Sequence, residues 1–162
     1  MSNRFVIRKR IESDSAALAE IFRRSIREVA SRDYRPTQIE AWVRFAESST
    51  AWEDRMRARQ VWVAVDDGQP IGFIQFDPPD HIDLTYVHPE HQRQGVATAL
   101  LSVLEVAARA KGVTVLYVEA SITSRPFFAA QGFQTVAPQI VTANGQEFLN
   151  YRMAKRLGSV GV

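Results

Sequence analysis

Val87-His88-Pro89-Glu90-His91-Gln92-Arg93-Gln94-Gly95-Val96-Ala97 joins a strand to the strongest helix of this 162-residue chain. Upstream, His81 to Val87 reads as a strand. His88-Pro89 stops it, because the residue before a proline is held away from helical backbone. Downstream, Ala97, Leu100, Leu101, Leu104, Ala107 and Ala108 recur at helical spacing from about Val96 to Lys111. Gly112 stands where a C-terminal cap belongs. Val113 to Ala120 then reads as a strand rich in β-branched residues. Strand, crossover helix and strand imply a parallel pair.

The remaining elements surround this unit. Phe5 to Arg10 alternates as a strand, and Asp14 reads as the N-cap of a helix carrying Leu18, Ile21, Phe22 and Val29. A second helix follows Pro36, with Thr37 and Glu40 spaced as a capping box and Ile39, Trp42, Val43 and Ala46 on its apolar side. A shorter helical stretch runs from Trp52 to Arg59. Val61 to Val65 and Ile71 to Phe76 form a hairpin across Asp66-Asp67-Gly68-Gln69. A short helix begins near Ser124, with Pro126 in its first turn and Gly132 at its end. Two closing strands, about 133–141 and 147–153, flank Asn144-Gly145. The expected fold class is α/β (α+β): a mixed, mostly antiparallel sheet of about seven strands flanked by about four helices. One domain is expected over residues 1–157, with a flexible tail at 158–162.

Composition narrows the function classes. At 46% apolar and 23% charged residues, a packed core is expected rather than disorder. The chain has no cysteine, which removes disulfides, thiolate metal sites and any covalent intermediate on Cys. The pI of 9.2 accompanies a net charge of only +2. Residues 1–60 hold 13 Lys+Arg against 9 Asp+Glu, whereas residues 61–162 hold 7 against 9. No strand interleaves Lys or Arg with aromatics, so no nucleic acid is expected as a partner. Apolar runs fall short of the roughly 20 residues of a membrane span, so no membrane is expected either. Met1-Ser2-Asn3-Arg4 leads into a short alternating stretch rather than a leader, and a cytoplasmic location is expected. His88-x-x-His91 has a metal-like spacing. Pro89 keeps that pair off a helix face, however, and no metal is expected.

The 87–97 segment offers chemistry. A strand-to-helix junction presents unpaired backbone N–H groups and the positive end of a helix dipole, which together suit a phosphate or pyrophosphate. Gly95 allows close backbone approach, Ala97 leaves room at the next turn and Arg93 adds a cation. The loop is neither a Walker A sequence nor a Gly-x-Gly-x-x-Gly turn.

Gln92-x-x-Gly95-x-Ala97 after a strand resembles the Gln/Arg-x-x-Gly-x-Gly/Ala pyrophosphate loop of the GNAT superfamily of N-acetyltransferases. Leu116 to Ser121, followed by Phe127-Phe128-Ala129-Ala130-Gln131-Gly132-Phe133, resembles that family's strand and helix ending in Phe-Tyr-x-x-x-Gly-Phe. The resemblance covers roughly residues 4–157. It implies acetyl-CoA as co-substrate and direct transfer to a primary amine of a small molecule or peptide. It implies that Gln92, Arg93, Gln94, Gly95, Val96, Ala97 and Thr98 receive the pyrophosphate. The pantetheine arm would run beside the strand end at Tyr86 and Val87, where a backbone N–H would stabilise the thioester oxyanion. Arg125 could approach the CoA phosphates or be an ordinary surface residue.

Candidate bases for the attacking ammonium are His81, Asp83 and Glu119. The family's loop aligns His81 near a position where several members carry a Glu base. Asp83 would share a face with His81 in a regular strand and could orient the imidazole or bind the ammonium. Two departures matter. Phe128 replaces the usual Tyr that protonates the leaving thiolate, and Ser121 replaces an Asn that bonds the pantetheine arm. Tyr86 and Tyr151 are possible substitutes for the missing phenol, or else core and pocket-wall aromatics. Phe128 also keeps open an alternative, a catalytically weak domain that binds or senses acyl-CoA. Tyr34 and Trp42 flank the connection between the first two helices, which in the family often overhangs the acceptor, so they are candidates for an aromatic acceptor pocket. Trp42 could equally pack its helix on the sheet. The family also commonly forms homodimers.

Overall fold

A computed structural model of the chain describes residues 4–158. Seven strands form one sheet in the order β1-β2-β3-β4-β5-β7-β6. They are β1 (Phe5–Lys9), β2 (Gln60–Asp66), β3 (Gln69–Asp77), β4 (His81–Val87), β5 (Val115–Ser121), β6 (Gln134–Ala143) and β7 (Gln146–Arg156). Every pairing is antiparallel except β4 with β5, the pair spanned by the crossover.

Five α-helices cover the sheet: α1 (Ser15–Glu28), α2 (Pro36–Val43), α3 (Ser49–Arg57), α4 (Val96–Ala110) and α5 (Arg125–Ala130). The sheet has two packed faces because its strands alternate. Leu116, Val118 and Ala120 of β5 enter a core with Leu100, Leu101 and Leu104 of α4 and Phe128 of α5. Phe73 of β3 and Leu84 of β4 enter the other core, with Phe22 of α1, Ile39 of α2 and Trp52 of α3. No helix among the described residues is long and apolar enough to cross a membrane.

Three local expectations are corrected. Asp14 precedes α1 but its side chain does not cap it. The carboxylate instead accepts two bonds from Arg8, at 2.7 and 3.0 Å, and one from Ile11 N–H. Thr37 and Glu40 form no capping box. Pro36 already opens α2, so Gln38 Oε1 receives the Arg35 N–H at 2.7 Å, and Glu40 turns outward to Arg27. The stretch near Trp52 is a full helix capped by Ser48, whose Oγ accepts from Ala51 N–H at 3.2 Å. It brings the helix count to five. The expected tail lies mostly outside the described residues.

Candidate functional site

The parallel pairing of β4 with β5 is short. It holds at His81↔Tyr117 and Ile82↔Val118 and then ends. Beyond that point the strands diverge, and two adjoining cavities occupy the gap. One, of about 330 Å³, lies at the α4 N-terminus and is lined by Val87, Gln92, Arg93, Gly95, Val96, Ala97 and Thr98. The other, of about 280 Å³, includes aromatic side chains from α1, α2, β4, α5 and β7 in its lining. Trp42, Thr85, Tyr86, Ser121, Ser124 and Phe128 line both.

The loop cavity owes its shape to backbone geometry. Gly95 is the N-cap of α4 with φ +79°, in the left-handed region that only glycine enters without strain, and no side chain caps the helix. The first-turn N–H groups therefore face the cavity. The amide of Gln92, also in the lining, is engaged: its Nε2 donates to Val87 O at 2.8 Å, and Ser25 Oγ donates to the same carbonyl at 2.5 Å. The Gln92 side chain thus holds the loop against the strand end. Arg93 sits at φ +61° beside it.

A β-bulge shapes the aromatic cavity. The register steps from Phe76↔Ile82 to Gln75↔Leu84, leaving Asp83 as the extra residue of β4. So the strand is not regular at this point, and Asp83 does not orient the imidazole. Asp83 is instead held by Arg55, 3.2 Å away, and lies 3.7 Å from Arg59. The carboxylate touching His81 is Glu119, whose Oε2 meets the imidazole Nε2. Glu119 lines the aromatic cavity, whereas His81 lines neither cavity and is partly open to solvent on the outer side.

Tyr34 and Trp42 both line the aromatic cavity. The Tyr34 hydroxyl donates to Leu149 O at 2.6 Å and accepts from Ile122 N–H at 2.9 Å, tying the α1–α2 connection to β7 and to the end of β5. Burial pushes the Tyr34 phenol up, partly offset by the Ile122 N–H. Burial pushes the Tyr86 phenol far above its usual range, so it keeps its proton. Ser121 lines both cavities, but its hydroxyl is engaged with Ser124: Ser124 N–H donates to Ser121 Oγ, and Ser121 N–H donates to Ser124 Oγ, both at 3.0 Å.

Arg125 and Tyr151 are not brought to either cavity. The Arg125 guanidinium lies 4.0 Å from the Tyr151 ring centroid and donates to Thr135. Tyr151 pairs with Ala120 in register, which puts its ring toward the α4 side of the sheet.

Several lining residues escape sequence reading: Phe45, Arg55, Thr85, Ser124, Phe148 and Asn150. Only Ser124 carries a usable signal, a hydroxyl three residues after Ser121 at a helix start.

Residues 30–155 match the acetyltransferase (GNAT) domain family. An uncharacterized N-acetyltransferase of Escherichia coli K12, YafP, is 42% identical over 151 residues, covering 93% of this chain and 95% of that protein. A GCN5-related N-acetyltransferase from Rhodopseudomonas palustris has a crystal structure that superimposes with a TM-score of 0.94 at 34% identity, covering 97% of this chain and 98% of the other. The PaiA N-acetyltransferase of Thermoplasma acidophilum, solved in complex with coenzyme A, has a TM-score of 0.79 at 21% identity, covering 96% and 99%. At that identity the likeness is one of fold.

Proposed function

The chain belongs to the GNAT acetyltransferase family and is an acyltransferase, and on that premise we propose that it transfers the acetyl group of acetyl-CoA directly to a primary amine. The observation carrying this reading is the meeting of the two cavities where β4 leaves β5. A phosphate-suited helix start opens on one side and a small aromatic chamber on the other. Acetyl-CoA supplies the thioester. The uncapped first turn of α4 suits its pyrophosphate, with Arg93 adding positive charge. The diverging edge of β4 offers backbone groups to the amide-rich arm, and an N–H near Tyr86 or Val87 would take the oxyanion charge.

The balance of the step assigns the side chains. The amine nitrogen bonds to the thioester carbon, the C–S bond breaks, and one ammonium proton must go to a base. Glu119 is the carboxylate of the chamber without a guanidinium partner, so Glu119 takes that role, with His81 as a positioning residue behind it. Tyr86, at the junction, stabilises the departing thiolate by donating a hydrogen bond. Its strongly raised pKa makes it a poor source of the proton itself, which comes from solvent.

The test is release of free thiol from acetyl-CoA across a panel of primary amines. The chain has no cysteine to give background. Amine-dependent release is expected, and it separates turnover from binding alone. Absence of release with every amine would overturn the reading.

A further inference from the structure

The acceptor chamber is more selective than "a primary amine" requires. Seven of its eighteen lining residues are aromatic. Tyr34, Trp42 and Phe148 form a three-sided wall, with ring centroids 5.4 Å apart for Tyr34–Trp42 and 6.0 Å for each ring to Phe148. Phe45 adds a fourth ring, with the Arg55 guanidinium 5.8 Å from its centroid.

The charges are few. Among the described residues, Arg55, Asp83 and Glu119 are the chargeable ones lining the chamber, one guanidinium and two carboxylates. Arg55 holds Asp83, whereas Glu119 is bonded by the His81 imidazole and has no guanidinium on it. A polyamine or aminoglycoside would bring several ammonium groups to a chamber with one carboxylate not already held by a guanidinium, losing hydration without replacement. The side-chain oxygens of Thr85 and Asn150 are buried without hydrogen-bond partners and belong to the same wall. They can accept from an ammonium N–H, as Glu119 can. At about 280 Å³ the chamber stands at the small end of ligand pockets.

We propose that the acceptor is a compact, singly charged primary amine bearing an aromatic ring, the ring lying against the wall of Tyr34, Trp42 and Phe148 and the ammonium lying toward Glu119. This rests on the acetyl-transfer reading for the identity of the site. Its physical basis is separate: a ring-lined wall, one carboxylate not held by a guanidinium and two unpartnered oxygens.

The experiment has two arms on the full chain. The first measures kcat/KM by thiol release at saturating acetyl-CoA for 2-phenylethylamine, tryptamine, n-butylamine, spermidine and a lysine-containing hexapeptide. The aromatic amines should exceed the other three by about tenfold or more, the scale on which pockets discriminate apolar groups. The second titrates the same amines calorimetrically into CoA-saturated protein. There Trp42→Ala should weaken 2-phenylethylamine about fivefold and n-butylamine less than about twofold, as loss of a ring contact implies. Phe45→Leu, at a more exposed position, should weaken it about threefold and serves if Trp42→Ala fails to fold.

Turnover without aromatic preference, or with spermidine or the peptide favoured, overturns the proposal and leaves acetyl transfer standing. Selective binding of 2-phenylethylamine with no turnover of any amine upholds an aromatic amine as the chamber's ligand and overturns acetyl transfer. Neither binding nor turnover of any amine overturns both.

Discussion

Glu119 reaches the aromatic cavity because of strand parity. Leu116, Val118 and Ala120 point into the α4 core, so Glu119 and Ser121 point the other way, toward the cavities. Glu119→Gln keeps the shape and removes the base. It should lower kcat by about 10²–10⁴ while leaving acetyl-CoA affinity within about twofold. His81→Ala should cost less, about tenfold, because the carboxylate loses its imidazole partner. His81→Gln should restore part of the rate, since an amide N–H can still reach Glu119. No recovery of rate in His81→Gln over His81→Ala would confine the imidazole to a structural role. A second residue-scale test concerns Asp14. Burial alone would raise its carboxyl, but Arg8 and the Ile11 N–H outweigh burial and hold it below the usual range. The folded-state pKa is the lower one. The stabilisation is therefore present at neutral pH and is lost as pH falls from the unfolded value, about 3.9, through the folded one. Asp14→Asn should cost about 1–3 kcal/mol in urea denaturation at pH 7, and the gap to wild type should narrow as pH falls below about 3.9.

At the scale of elements, α4 and its loop were legible and the bulge of β4 was not. The apolar stripe from Ala97 to Ala108 and Gly95 at the loop corner are local signals, and the helix and its N-terminus follow from them directly. Nothing in His81-Ile82-Asp83-Leu84 marks Asp83 as an extra residue, because the bulge arises from register against β3. The cap expectations failed through competition. Asp14 finds a guanidinium fork stronger than a helix N–H, and Pro36 opens α2 one residue before Thr37. Among the cavity rings Tyr34, Trp42, Phe45 and Phe148, the sequence points to Tyr34 and Trp42 alone. Arg55 comes from α3 and Phe148 and Asn150 from β7, elements far apart in sequence that only the fold brings together. Gly72 ties α4 to the sheet. A Cβ there would stand 3.0 Å from Val96 Cγ1 and 3.2 Å from the Tyr86 carbonyl oxygen. Val96 is the first residue of α4, so Gly72→Ala should push the helix start away from the strand. A stability loss of about 1–3 kcal/mol is expected, as for other overpacked core sites. Acetyl-CoA affinity should fall several-fold while the far-UV circular dichroism spectrum stays unchanged. Affinity equal to wild type would show that the loop absorbs the shift.

For the molecule as a whole, the divided sheet decides how ligand and stability are linked. Strands β1 to β4 form one paired block, and β5 to β7 form another. Their only ladder contact is the two-residue pairing of β4 with β5. The cores on either face bridge the blocks, but the upper half of the seam, from Asp83 on β4 and Glu119 on β5, is cavity rather than backbone pairing. A ligand lying along that seam contacts both blocks in the folded state and neither in the unfolded chain. Acetyl-CoA at about 100 times its Kd should then add about 2.7 kcal/mol to stability. For a chain of this size that corresponds to a rise in Tm of roughly 5–11 °C. Location separates this from a general effect. Hydrogen exchange should slow first at Leu84 to Val87 on the free edge of β4 and at Val96 to Thr98 in the first turn of α4. Protection of β1 and the outer strand β6 should change only by the global increment. A Tm rise with uniform protection would place the ligand elsewhere on the molecule, and no rise at saturation would remove acetyl-CoA from the seam altogether.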